Sequence, residues 1–190
     1  MYNFIHIPKV AGSSLYHLIG GGTPVGYCGH VRAVDVPFFC FVRNPYDRLV
    51  GAYFYLIEGG GNTEQDLSYQ VILSKYKDFS DFVMNIEKDG LLDKIIHLKP
   101  MHWFVTDDSG KVVVKNIFKI ENVEEIDSFL LSIGVDKKLS ETHVNIANRD
   151  HYMVYINNEV NNEINKLYER DFELFDYEKT TISVRDWDGN

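Results

Sequence analysis

Side chains that could bind an anion lie together near the start of the chain. Lys9 is followed, after two residues, by Gly12-Ser13-Ser14, where an apolar spacing typical of a helix begins. An ammonium group, two hydroxyls and the free N–H groups at a helix start are all good partners for phosphate oxygens. The segment therefore predicts a phosphate-binding loop. The alternative is an ordinary capped helix preceded by a solvated lysine.

The elements around this loop follow from the apolar pattern. Three of the four residues 4–7 are apolar and predict a short buried strand, which Pro8 ends. The helix that follows carries apolar residues at helical spacing from Leu15 onward. In the loops of ATPases and GTPases, the lysine directly precedes a Ser or Thr. Lys9 lies too early for that pattern, so a different kind of phosphate loop is indicated.

A second basic residue, Arg43, is predicted at the end of another buried strand. Residues 37–42 form a continuous apolar run, which is typical of a strand covered on both faces of a parallel sheet. Asn44-Pro45 then begins a helix, in whose first turn proline is tolerated. Because open α/β sheets bind ligands at the carboxyl ends of their strands, we expect Arg43 and the phosphate loop at one edge.

A histidine, His30, lies between these two segments. The unperturbed pKa of histidine, about 6.5, lets it accept a hydroxyl proton near neutral pH. A structural histidine is the alternative. Cys28 and His30 also allow a Cys-His nucleophile, but alternate residues of a strand lie about 7 Å apart, which is too far for activation of the thiol without rearrangement.

Three segments together resemble a known family. The sequence Pro8-Lys9-Val10-Ala11-Gly12-Ser13-Ser14 resembles the 5′-phosphosulfate loop of sulfotransferases that use 3′-phosphoadenosine 5′-phosphosulfate (PAPS). The segment from Arg43 to Tyr53 resembles their 3′-phosphate motif, Arg-x-Pro-x-x-Arg-Leu-x-Ser-x-Tyr. The segment from Tyr168 to Tyr177 is similar to their terminal aromatic motif. Within that family, the segments resemble those of the carbohydrate sulfotransferases that include heparan sulfate 2-O-sulfotransferase.

This resemblance implies a fold and a reaction. The fold is an α/β, P-loop-like three-layer domain, with a mostly parallel central sheet between helices. The implied reaction is transfer of a sulfuryl group from PAPS to a hydroxyl acceptor, with carbohydrate as the acceptor class, 3′-phosphoadenosine 5′-phosphate (PAP) as product and no metal. His30, at the second histidine of the family's His-Gly-His-Val stretch, is implied to be the base, and Lys9 to assist the leaving phosphate. The implied cofactor contacts are Lys9, Ala11, Gly12, Ser13, Ser14, Arg43, Gly51 and Arg149. The implied acceptor contacts are Arg32, His97 and Lys99, with plain surface positions as the alternative for the last two.

The 3′-phosphate motif contains one departure from the family and one ambiguous residue. Gly51 occupies the position of a serine that helps to bind the 3′-phosphate in the family. Either another donor makes this hydrogen bond or the cofactor is held more weakly. Arg48 matches the motif, but it is equally compatible with a charge on the surface of a helix.

Composition limits the remaining possibilities. The 190 residues predict one domain over residues 1–177 and a C-terminal tail over 178–190. A net charge of −9 argues against nucleic acid as the main partner. Two cysteines, with no leader or membrane span expected, predict a cytoplasmic protein without a membrane partner.

Two other functional classes are compatible with the predicted architecture. A nucleotide kinase-like phosphotransferase should have its lysine immediately before the loop Ser or Thr and an Asp at a strand end for Mg²⁺, and neither is evident. A non-catalytic protein that binds PAP or PAPS would keep both phosphate motifs but would not need His30. The acceptor and the oligomeric state are not predicted.

Overall fold

A parallel three-stranded sheet is the central element of the fold. The computed structural model describes residues 2–19, 37–142 and 150–181. The strands are β1 (Asn3–Ile5), β2 (Phe38–Val42) and β3 (Asn116–Lys119), in the order β1-β2-β3 with both pairings parallel. The register pairs Phe4 with Phe39 and Cys40 with Ile117. The predicted fold class, α/β with a parallel sheet and helices, is therefore confirmed.

Helices connect and follow these strands in the described residues. Their bounds are α1 (Gly12–Leu18), α2 (Pro45–Ile57), α3 (Glu64–Leu73), α4 (Phe79–Asn85), α5 (Leu91–Lys94), α6 (His102–Val105), α7 (Val123–Ser132), α8 (Asn158–Leu167) and α9 (Glu169–Leu174). Short 3₁₀ helices span Ile96–Leu98, Leu139–Glu141 and Tyr152–Tyr155. None of the helices in the described ranges is both long enough and apolar enough to cross a bilayer.

The chain divides into two compact units. The first contains Met1–Arg43 and Lys99–Arg149, and the second contains Asn44–Leu98 and Asp150–Asn190. The first unit therefore holds the sheet together with α1, α6, α7 and the 3₁₀ helix Leu139–Glu141, and the second holds the other helices of the described residues. The prediction of one domain over residues 1–177 with a tail after it stays a prediction.

The core of the first unit is built on the sheet. Ile5, Cys40 and Phe41 are fully buried in the strands, as the apolar runs in the sequence predict. The strand phenylalanines form a network of ring contacts that Phe129 of α7 extends, packing on Phe39 and Phe118 at 5.2 and 4.6 Å between ring centroids. The parallel pairing of β1 with β2 places the carboxyl ends of these two strands next to each other.

One segment of this unit differs from the structure that its local sequence favours. The sequence around Phe104 and Val105 predicts the first strand of a hairpin, but these residues belong to α6. The predicted turn at residues 107–110 is present, and the pairing is reduced to an isolated antiparallel bridge between Thr106 and Val112. Pro100 precedes this helix closely, and its fixed φ suits a helix start, which outweighs the strand preference of the aromatic and β-branched residues.

The second unit is a helical assembly around α2. The side chain of Asn44 accepts hydrogen bonds from the N–H groups of Tyr46 and Asp47, which caps α2 in the way that Asn44-Pro45 predicts. Near the C-terminus, the N–H of Thr180 donates to the Tyr46 hydroxyl at 3.0 Å, and Asn161 donates to the Thr180 carbonyl at 2.9 Å. Thr180, inside the predicted tail, is thus fastened to the unit through both of its backbone groups.

Candidate functional site

The loop between β1 and α1 has an unusual backbone. Lys9 and Ala11 have φ values of 68° and 62°, in the left-handed region that L-residues other than glycine rarely adopt. Each such residue costs about 1–2 kcal/mol, so the surrounding structure must hold the loop. Alternation of right- and left-handed residues turns successive N–H groups toward one concavity, which is a common anion-binding arrangement.

The predicted phosphate contacts differ in accessibility. Gly12 and Ser14 are buried at the start of α1, with Ser14 only 7% exposed, whereas Ser13 is exposed. Lys9 is half-buried. Ala11, at the N-cap position, supplies no side-chain hydrogen bond to the helix. The first amides of α1 are therefore not capped by this residue, and Ser13 is the hydroxyl best exposed to an incoming ligand.

Arg43 lies beside this loop. It directly follows β2, which pairs in parallel with β1, so Arg43 and the residues after β1 emerge at the same edge of the sheet. Its Nη1 donates a long hydrogen bond to the carbonyl oxygen of Lys9, at 3.4 Å, and its backbone N–H donates to the Met101 sulfur at 3.5 Å. The structure thus brings together two basic residues that are 34 positions apart in the sequence.

His6 is a residue of this region that the sequence analysis did not single out. Its half-buried ring stacks on Phe4 and packs against Tyr16 of α1. Burial and, to a smaller extent, the charge of Lys9 lower the pKa of His6 below its ordinary value. The imidazole is therefore held in its neutral form next to the loop. The sequence spacing could have indicated the contact of His6 with Phe4, because residues two apart in an extended segment lie on the same face.

In the second unit, α2 carries Arg48 and Gly51. Arg48 is only 2% exposed, so the interpretation of Arg48 as a surface charge is wrong. Burial is the largest effect on the pKa of Tyr168 and raises it. The charge of Arg48 lowers that pKa, and the charge of the buried Asp171 raises it. Arg48 therefore belongs to a buried polar cluster with Tyr168 and Asp171, and this cluster joins α2 to the C-terminal helices. Gly51 is also buried and has no positive φ.

The predicted acceptor residues His97 and Lys99 fall in different units. In the second unit, the half-buried His97 packs its ring on Tyr55 and Tyr69, at 5.4 and 6.2 Å between centroids. In the first unit, the Lys99 ammonium lies 4.8 Å from the centre of the Trp103 ring, a cation–π distance. Neither side chain is a plain solvated surface group, and their proposed contact with an acceptor stays a prediction.

Comparison with known protein families identifies the chain. The model of the sulfotransferase family matches residues 28–178, which is well over half of the sequence. The chain belongs to the sulfotransferase family. No curated protein matches it, and no solved structure matches it.

Of the two predicted phosphate-binding segments of this sulfotransferase, one lies inside the residues that the family model matches and the other precedes them. Arg43 and Gly51 lie inside the matched residues, whereas Lys9, Ala11 and Gly12-Ser13-Ser14 precede them. The role of the loop in this sulfotransferase thus rests on the sequence resemblance and on its own geometry. A hydrogen bond from Arg43 to the Lys9 carbonyl connects the loop with the matched region.

Three predicted site residues lie outside the described part of the sulfotransferase. His30 and Arg32 fall in residues 20–36, and Arg149 falls in residues 143–149. Their roles stay predictions. Within residues 2–19, 37–142 and 150–181, no three His, Cys, Asp or Glu side chains form a group that could hold a metal ion.

Proposed function

We propose that this sulfotransferase moves a sulfuryl group from PAPS to a hydroxyl of a carbohydrate. Membership of the sulfotransferase family supports transfer of a sulfuryl group in general. PAPS as the donor is supported by one observation above all. The hydrogen bond between Arg43 and the Lys9 carbonyl joins the segments that resemble the 3′-phosphate and 5′-phosphosulfate motifs. A donor with anionic groups at two positions needs basic residues in two such segments.

The chemistry of these residues fits a nucleotide with two separate phosphates. The left-handed Lys9 and Ala11 bend the loop into a form that suits one phosphate. The guanidinium of Arg43 is planar and always charged, which suits two oxygens of the other phosphate. Gly12, Ser13 and Ser14 would bind the 5′-phosphate, and Gly51 and Arg149 would lie at the 3′-phosphate.

The catalytic roles in the proposal divide between two residues. PAPS, when bound, supplies an activated sulfuryl group. Lys9 would stabilise the negative charge that develops on the 5′-phosphate during transfer. His30 would accept the proton of the acceptor hydroxyl, since a neutral imidazole is a good base near pH 7. Arg32, His97 and Lys99 would contact the acceptor. The proposed location of the protein is the cytoplasm.

A thermal-shift experiment tests the choice of donor. The protein is melted with equal concentrations of PAP, AMP and ATP, because a ligand that binds the native state stabilises it by RT ln(1 + [L]/Kd), so the tighter ligand gives the larger shift. PAP should raise the melting temperature most, since of the three ligands only PAP carries a 3′-phosphate for Arg43. A larger shift with ATP would favour a phosphotransferase. Equal small shifts with all three ligands would contradict the proposal.

A further inference from the structure

The ring of His6 lies directly against the backbone of Gly12. A Cβ atom built on Gly12 would lie 2.2 Å from both Cδ2 and Nε2 of the His6 ring. Real Cβ contacts of that length do not occur, so a side chain at position 12 requires His6 to move. The imidazole thus rests directly on the backbone of Gly12. Here the glycine is needed for close approach.

The ring of His6 has little freedom to move aside. It is stacked on Phe4 of β1, with 6.2 Å between centroids and 22° between planes. On α1, Tyr16 packs against it at 6.2 Å and 56°. His6 is therefore fixed to the strand before the loop and to the helix after it. Residues 7–11, including both left-handed residues, lie between these contacts.

We infer that His6 is a positioning residue for the phosphate loop, because its ring, fixed against Gly12, Phe4 and Tyr16, holds Lys9 and Ala11 in the left-handed conformations that shape the loop. The inference rests on the proposed function in taking the 5′-phosphate of PAP as the ligand. His6 acts through the loop backbone, not as a group that reacts. A loop that needs strained residues is competent to bind only when something fixes it, and the bound fraction falls with the competent fraction.

The neutral state of His6 gives the inference a second, independent consequence. The groups that face its ring are the ammonium of Lys9 in the loop, the phenol of Tyr16 on α1 and the ring of Phe4 on β1. The charge of Lys9 disfavours protonation of His6, and a phosphate bound at Lys9 would offset that charge. Binding should therefore raise the affinity of His6 for a proton, so wild-type protein should take up more protons on binding PAP than a variant that lacks this imidazole.

The contact itself is tested without a ligand, by a double-mutant cycle in urea unfolding. The variants are His6→Ala, Gly12→Ala and the double variant. Gly12→Ala alone should lower the unfolding midpoint, because the new methyl group collides with the ring. In the His6→Ala background the same substitution should lower the midpoint much less, because the space is empty. Additive effects in the double variant would overturn the contact on which the inference depends.

The positioning role is tested by calorimetric titration of folded variants with PAP and with inorganic pyrophosphate. His6→Ala should weaken both ligands about tenfold, as expected if the loop is competent about a tenth of the time. His6→Phe retains a flat ring but no proton site. It should bind PAP at pH 8 within about threefold of wild type, and in titrations near pH 6, in buffers of different ionisation enthalpy, it should take up fewer protons on binding than wild type does.

The outcomes separate the inference from the proposed function. If PAP binds and His6→Ala matches wild type, the inference is overturned while the proposed function stands. If pyrophosphate binds with the expected dependence on His6 but PAP binds no better than AMP, the inference stands and the proposed donor is wrong. If wild type binds neither PAP nor pyrophosphate, both are overturned.

Discussion

Replacement of Arg43 by alanine should weaken PAP far more than AMP. The proposed partner of the guanidinium, the 3′-phosphate, exists only on PAP. Loss of a charge-assisted hydrogen bond costs about 1.5–3 kcal/mol, which corresponds to roughly a 10- to 150-fold loss of affinity. Arg43 is half-buried beside the loop, so solvent screens such a contact only in part.

The same substitution should change AMP binding little. Arg43 donates a hydrogen bond to the Lys9 carbonyl at 3.4 Å, near the upper limit of length, and this bond does not involve the 3′-phosphate. A bond that long contributes at most about 0.5 kcal/mol, so the loop should lose AMP affinity by about twofold. The difference between the two ligands, and not either loss alone, is the diagnostic quantity.

Isothermal titration calorimetry of Arg43→Ala with both nucleotides measures this difference. Arg170→Ala is the matched control, because Arg170 is an exposed arginine of α9 in the second unit. The control should bind both ligands as wild type does. Equal losses of PAP and AMP affinity in Arg43→Ala would refute the assignment of Arg43 to the 3′-phosphate and would indicate that it supports the loop instead.

Three further predictions concern α2, the base and the buried cluster. Gly51→Ser should raise the affinity for PAP but not for AMP, because Gly51 has an ordinary helical backbone that accepts serine. Gly51→Ala is the control. Equal calorimetric affinities of the two variants for PAP would mean that the serine hydroxyl does not contact the ligand. His30→Ala should lower turnover about 10²–10⁴-fold with PAP affinity retained. Wild-type turnover should fall as the pH drops through the pKa of His30, and a wild-type rate in the variant would assign the base elsewhere. Tyr168→Phe should lower the free energy of unfolding by about 1–3 kcal/mol in urea, because the hydroxyl donates to the Leu98 carbonyl at 2.8 Å in a buried site; Tyr155→Phe, whose ring packs on Phe54 and Phe79, should change it little. Burial also raises the pKa of Tyr168 in the folded state, so its contribution to stability is full below the ordinary pKa of about 10 and is lost as the pH rises further, a loss that Tyr168→Phe should not show.

Much of the first unit could be predicted from local sequence patterns. The apolar runs that form β1 and β2 and the Asn44-Pro45 helix start each specify their own local structure, although β1 ends at Ile5 and not at Pro8 as the sequence predicts. Two strands that are each followed by a basic residue also predict the edge at which those residues meet. The adjacency of Lys9 and Arg43 follows from parallel pairing, which such apolar runs favour.

The features that were missed depend on partners distant in the chain or on opposed local preferences. Arg48 has a sequence environment typical of a helix surface, and its burial depends on Tyr168 and Asp171 from the C-terminal helices. The contact of His6 with Gly12 depends on how α1 packs beside β1, which no periodicity encodes. At Phe104 and Val105, strand propensity competed with a helix start after Pro100, and tertiary context decided between them.

The most direct test of the account is transfer of labelled sulfate from PAPS. The protein is incubated with ³⁵S-labelled PAPS and a panel of glycans and simple alcohols, with Lys9→Ala and His30→Ala in parallel. The account predicts that label appears on the hydroxyl of a glycan in the panel, and that both substitutions reduce this transfer. PAP binding with no transfer of label to any acceptor would contradict the account and favour a protein that binds the nucleotide without catalysis.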